Sequence, residues 1–147
     1  MTELDEFLAK FDPEVEKVAR AALAKMRKRL PGATQLVYDN YNALAIAFSP
    51  TDKRSDIILS IALYPRWVSL FFMRGATLPD PHKVLKGGGS TVRHVVLEKA
   101  SDLDKPAIAA VIDAAVKRAE PPFDPSRRGE VIVKMALKNT RARRPRA

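Results

Sequence analysis

The chain contains no cysteine, only one tryptophan and only two histidines. The absence of cysteine excludes disulfides, thiol nucleophiles and thiolate metal sites, and it is typical of cytoplasmic proteins. No apolar run approaches the roughly 20 residues that a membrane-spanning helix needs. The acidic start, MTELDEFLAKFDPEVEK, also lacks the basic region and apolar core of a signal peptide. We therefore expect a cytoplasmic protein without a membrane partner.

What is present is an ordinary globular composition, with 46% hydrophobic and 29% charged residues among 147. This length suits one domain. The net charge of +9 is uneven, because residues 121–147 carry +6 and residues 1–120 carry +3. We predict a single domain over residues 1–138 and a basic, disordered tail over residues 139–147. Such a tail attracts polyanions without sequence preference, so a nucleic-acid-associated protein is one interpretation of the function.

Apolar spacing and terminal signals predict two long helices after a short one at the start. The first long helix begins at Pro13 after the N-cap residue Asp12, and Pro31-Gly32 ends it. The second follows a capping box formed by Ser101 and Asp104, with Asp where Glu or Gln is preferred.

The middle of the chain predicts a meander of β-strands separated by turn residues. A sixth apolar run near the end of the chain predicts an edge strand, although a run of this length is also compatible with a helix. Short connections between the first five runs favour antiparallel pairing. The fold class is therefore α+β: a two-layer sandwich in which one antiparallel sheet of five to six strands carries N-terminal and C-terminal helices on one face. The predicted strands are 35–39, 43–49, 57–64, 67–74, 91–98 and 130–138.

Strand alternation divides the sheet into two faces. We assign the bulky aliphatic sets to the face that the helices cover. The opposite face, called the second face below, then carries small residues beside aromatic ones. Such a surface is too apolar to be bare, so we expect a ligand groove, a covering C-terminal segment or a second subunit, which leaves a homodimer open. Its larger members are Tyr64, Trp67, Phe71, Met73 and His94.

No motif for a known chemistry is complete. In KGGGST the lysine precedes the glycines and a strand follows, so this is neither a phosphate loop nor a dinucleotide fingerprint. The two histidines lack familiar metal-ligand spacing, and nothing brings a serine beside a histidine and a carboxylate. We therefore assign no catalytic residue and expect a non-enzymatic domain that binds a small ligand or a partner. The candidate contacts are Tyr41, Tyr64, Arg66, Trp67, His82, Lys86 and His94.

Several blocks of the sequence together resemble the bacterial YdhG-like family, a domain of unknown function. They are FLAKFDPEVEKVARAALAKMRKRLPGATQLVYDNYNALAIAF, ALYPRWVSLFF, LPDPHKVLKGGGSTVRHVVL and, more weakly, RARRP. The resemblance implies a small α+β fold in a bacterial cytoplasmic protein. It departs at Ser90, where relatives typically have lysine.

Some members of that family are described as frataxin-like iron chaperones, so the resemblance implies iron as an alternative ligand. The acidic residues that this alternative needs lie near the start of the chain, at Asp5, Glu14 and Glu16. The long helix that carries Glu14 and Glu16 ends in a basic run. Hard cations, in contrast, need several oxygen ligands close together.

Overall fold

The computed structural model describes residues 1–145 and shows an α+β fold, with three α-helices and one six-stranded sheet in that range. The helices are α1 (Glu3–Leu8), α2 (Pro13–Arg29) and α3 (Pro106–Lys117). The strands are β1 (Thr34–Asp39), β2 (Leu44–Ser49), β3 (Leu59–Leu63), β4 (Val68–Phe72), β5 (Arg93–Leu97) and β6 (Val131–Ala136). The predicted fold class is confirmed.

The sheet order is β5-β4-β3-β2-β1-β6, so β6 is the edge strand that the sequence predicts. Four successive pairs, from β1–β2 to β4–β5, are antiparallel. The prediction of an entirely antiparallel sheet is wrong, because β6 pairs parallel to β1. The chain reaches β6 only after α3 and a long connection, and such a crossover permits parallel pairing where a short hairpin does not.

The helices pack on one face of the sheet, as the alternation predicts. The aliphatic side chains of β2, β3 and β4 join α1, α2 and α3 in one buried cluster. Helix α2 contributes Ala19, Ala22, Leu23 and Met26, which recur at helical spacing and are all buried. A continuous core of this kind fixes the strand register, because a shift of one residue would turn these side chains away from the helices.

The start of α3 differs from the prediction. The capping box of Ser101 and Asp104 does not form; residues Ala100–Asp104 make a 3-10 turn, and the α-helix begins at Pro106. The Asp104 carboxylate accepts a 2.6 Å hydrogen bond from Lys25 on α2 instead. The buried carboxylate of Asp102 accepts the backbone N–H groups of Glu98 and Lys99. The capping function thus belongs to a neighbouring aspartate.

Residues 141–144 lie against the domain, although the sequence predicts a disordered tail there. The buried Arg143 guanidinium donates to the Asp39 carboxylate at 2.8 Å and to the carbonyl oxygen of Asn40 at 2.5 Å. It lies 5.6 Å from the ring centre of the core residue Phe11. Arg144 donates to backbone carbonyls just after α1. These contacts lie on the helix-covered side of the sheet; the last two residues of the predicted tail lie outside the described range.

Among residues 1–145, no helix has the length and apolar character to cross a membrane.

Candidate functional site

Strand pairing sets two rows of side chains across the second face. The first row runs through His94, Phe71, Ser60, Ala47, Leu36 and Ile132. The second row runs through Val96, Ser69, Ala62, Ala45, Tyr38 and Met135. In both rows the middle strands β2 and β3 carry only alanine or serine. The second face therefore has a floor of small side chains between larger ones.

We call the depression over β2 and β3 the second-face groove. Its floor is Ala45, Ala47 and Ser60, and a methionine stands on each side, Met73 and Met135. The groove is shallow and open, with a volume of about 190 Å³, which suits a small, fragment-sized ligand and is below the roughly 300–1,000 Å³ of drug-sized sites. The floor residues have little exposure of their own because their larger neighbours shield them. The groove is lined by Tyr38, Asn40, Ala45, Ala47, Arg54, Ile57, Ser60, Met73 and Met135.

The polar end of the groove is formed by Arg54, which comes from the loop between β2 and β3. Its guanidinium carbon lies 5.9 Å from the centre of the Tyr38 ring, at cation–π distance. Among the described residues Arg54 makes no salt bridge, and no acidic side chain lines the groove. The groove thus carries uncompensated positive charge at one end.

Two of the predicted candidates, Tyr64 and Trp67, meet at the turn between β3 and β4. Their rings stack with centres 4.6 Å apart and planes inclined by 12°. Partial burial raises the pKa of the Tyr64 hydroxyl above its usual range. Trp67 also lines a second depression with Val15 and Val18 of α2, so it lies at the end of the sheet. The pair belongs to the border of the second face, outside the groove.

Hydrogen bonds hold the loop LPDPHKVLKGGGSTVRH along β5. Lys86 and His94 exchange backbone hydrogen bonds of 2.9 and 2.8 Å, which bring the loop back along β5. The Asp80 carboxylate accepts the N–H groups of Val84 and Leu85, and Arg93 donates to carbonyls of the glycine run. The His94 ring lies 5.2 Å from that of Phe71 on the second face. The loop is therefore attached to one wall of this face.

The remaining predicted contacts are dispersed. Arg66 lines the depression beside Trp67, and His82 is exposed in the loop before β5. Tyr41 is half exposed at the β1–β2 turn, where the Arg141 guanidinium lies 5.7 Å from its ring centre. Lys86 and His94 come together, as do Tyr64, Arg66 and Trp67, but the structure does not unite these two groups with Tyr41 and His82. None of the seven lines the second-face groove.

Two of the acidic residues named for iron, Asp5 and Glu16, share one arginine, and the third lies elsewhere. Arg20 of α2 donates to the carboxylates of Asp5 and Glu16, in both cases at 2.8 Å. The hydrogen bond from Arg20, together with those from Thr2, holds the pKa of Asp5 well below its usual range. Glu14 lines the depression beside Trp67 instead. Within the described residues no group of three or more His, Asp or Glu side chains is placed to share a metal ion, and a cation would have to compete with Arg20 for Asp5 and Glu16.

Sequence reasoning missed the groove's polar residues, Tyr38, Asn40, Arg54 and Ser60. Arg54 lies in SPTDKRSD, which reads as an ordinary polar loop, and only the tertiary structure brings it over β1. The available signal was the alternation itself, because Ala43, Ala45 and Ala47 share one face with Ser60 and Ala62. A small-residue face on two neighbouring central strands indicates a depression in the sheet.

No family model, no curated protein and no solved structure matches this chain.

Proposed function

We propose that the chain is a cytoplasmic, YdhG-like, non-enzymatic binding domain whose small ligand occupies the second-face groove. One observation carries the proposal: the sheet has a floor of small side chains between larger walls, with Arg54 uncompensated at one end. An apolar concavity with a few convergent polar groups is the usual form of a ligand site.

The composition of the groove supports binding over catalysis. Its hydroxyl groups belong to Ser60 and Tyr38, and its lining contains neither a histidine nor a carboxylate to act as a base. A serine nucleophile needs such a base within hydrogen-bond reach. The lining supplies instead apolar contact, a guanidinium and an amide, which are recognition groups.

The glycine loop belongs to the same proposal in a supporting role. Its Lys86 is held to His94, and His94 contacts Phe71 at the far side of the small-residue floor. We infer that the loop limits how far a ligand extends across the face, while direct contacts come from the groove residues.

The experiment is a fragment screen by amide chemical-shift mapping on the whole chain, using neutral, anionic and cationic fragments. We expect saturable shifts that cluster on Ala45, Ala47, Ser60 and Arg54. The blocking variant is Ala45→Phe, because Ala45 is only partly buried and a larger ring there fills the groove without entering the core. The control is Ala110→Phe on the exposed surface of α3. Fragments that bind elsewhere, or that bind the blocked variant equally well, would refute the proposal.

A further inference from the structure

We propose that the second-face groove is selective for a small organic anion with a flat apolar body, and that aromatic carboxylates are the chemical class it takes. This inference rests on the proposed function and adds the identity of the ligand class. Three independent features carry it: the state of Arg54, the Ser60 hydroxyl and the shape of the floor.

Charge is the first feature. The guanidinium of Arg54 is held over Tyr38 at the groove, and it has no carboxylate partner among the described residues. The two acids nearest to it in sequence, Asp52 and Asp56, do not line the groove, and Asp56 accepts a 2.6 Å hydrogen bond from the Thr51 hydroxyl. A planar guanidinium matches a carboxylate with two parallel hydrogen bonds. An anionic ligand therefore gains an attraction that a neutral ligand of the same shape lacks.

The Ser60 hydroxyl is the second feature. Ser60 lines the groove, has only 7% of its surface exposed, and makes no side-chain hydrogen bond to any described residue. Among the described residues Asp102 has the one buried side-chain polar atom without a partner, so the Ser60 hydroxyl reaches solvent, and a polar atom of a ligand can replace water there. Arg54 and Ser60 both line the groove, so one ligand can contact both groups.

The floor is the third feature and determines the shape of the ligand. Ala45 and Ala47 project one methyl group each, so a planar body lies flat against them without displacing the backbone. Met73 and Met135 flank this floor, and thioether side chains adapt to aromatic edges with favourable sulfur contacts. A flat ring system fits this surface better than a branched or highly polar ligand.

The test uses 2-naphthoate and its neutral counterpart 2-naphthamide, with binding followed by amide chemical shifts of the whole chain. We expect 2-naphthoate to bind more tightly than the amide by up to about fivefold, because Arg54 is exposed and solvent weakens its attraction for the carboxylate. Arg54→Gln should remove this preference. The control Arg128→Gln, which deletes the same charge from an exposed residue outside the groove lining, should keep it. Ser60→Ala should weaken both compounds in the wild-type background while the preference persists.

The outcomes separate this inference from the proposed function. If both compounds bind the groove equally and Ala45→Phe blocks both, the binding site stands and anion selectivity is refuted. If neither compound binds while other fragments occupy the groove, the aromatic carboxylate class is wrong. An equal loss of preference in Arg54→Gln and Arg128→Gln would mean that net charge, and not the Arg54 contact, favours the anion, which also overturns the inference.

Discussion

Replacing Arg143 with alanine should destabilise the whole domain, even though the residue lies in a segment that reads as a tail. The side chains of Arg143 and Asp39 are only 4% and 6% exposed, and their polar atoms lie 2.8 Å apart. The guanidinium also donates to the carbonyl oxygens of Asn40 and Tyr41. Its removal leaves the Asp39 carboxylate buried without a counter-charge and leaves these carbonyls without their donor.

Breaking a buried ion pair from one side costs about 3–5 kcal/mol. A domain of ordinary stability unfolds with about 5–15 kcal/mol, so Arg143→Ala should remove a substantial part of the total. The matched control is Arg144→Ala: Arg144 is 56% exposed and lies 3.9 Å from Asp12, and exposed pairs contribute about 0–1 kcal/mol. The double variant Asp39→Leu with Arg143→Leu should be more stable than Arg143→Ala, because no buried charge remains.

Urea unfolding followed by far-UV circular dichroism measures these differences through the transition midpoint and slope. Circular dichroism is preferable to fluorescence because Trp67, the only tryptophan, is 43% exposed in the folded protein. Equal midpoints for Arg143→Ala and Arg144→Ala would refute the reasoning, since burial is what distinguishes the two arginines.

The same comparison bears on polyanion binding. Deleting residues 139–147 would also remove the Arg143 anchor, so any loss of heparin binding must be checked against loss of folding.

Two further predictions concern other contacts of the fold. The hydrogen bond with Arg20 lowers the pKa of Asp5, so this carboxylate stabilises the fold above its unfolded pKa of about 4 and loses that effect as the pH falls towards its lowered folded value. Urea midpoints should therefore show that Asp5→Asn is less stable than wild type at pH 7, and that the difference shrinks below about pH 4. A difference that stays constant with pH would contradict the assignment. Gly32→Ala should destabilise the fold by about 1–3 kcal/mol or more, because φ is 83° and the added Cβ would lie 2.1 Å from the Asp124 carbonyl oxygen. In the control Gly88→Ala the added Cβ meets no atom within 4 Å, so the urea midpoint should not change. Similar midpoints for the two variants would show that the segment around Asp124 moves aside at little cost.

The elements of this fold were predictable because their signals are local. Pro13 after Asp12 marks the start of α2, and the alternating aliphatic residues of β2, β3 and β4 identify the core face correctly. The parallel direction of β6 was not predictable from its own residues, because strand direction depends on the path of the connection from α3. The residues of β6 are equally compatible with parallel and antiparallel pairing.

The candidate site was less predictable because its members come from distant segments. Aromatic and histidine side chains attract attention in a sequence, and Trp67 and His94 do lie at the border of the second face. Arg54, by contrast, has no local signature, and its importance comes from lying over Tyr38 on another strand. Arg143 was read as a tail residue for the same reason, since its partner Asp39 is 104 positions away.

The pairing of β6 with β1 has a consequence for synthesis of the protein in the cell. Strand β1 is made early, yet the partner for its outer edge and the counter-charge for Asp39 are made about 100 residues later. Until residues 131–143 leave the ribosome, the outer edge of β1 in the nascent chain has no strand to pair with. The Asp39 carboxylate also has no arginine partner. Unpaired edges of this kind associate with other chains. A chain that ends before β6 would therefore be prone to aggregation through this edge of β1, even where the helices and the other strands are present.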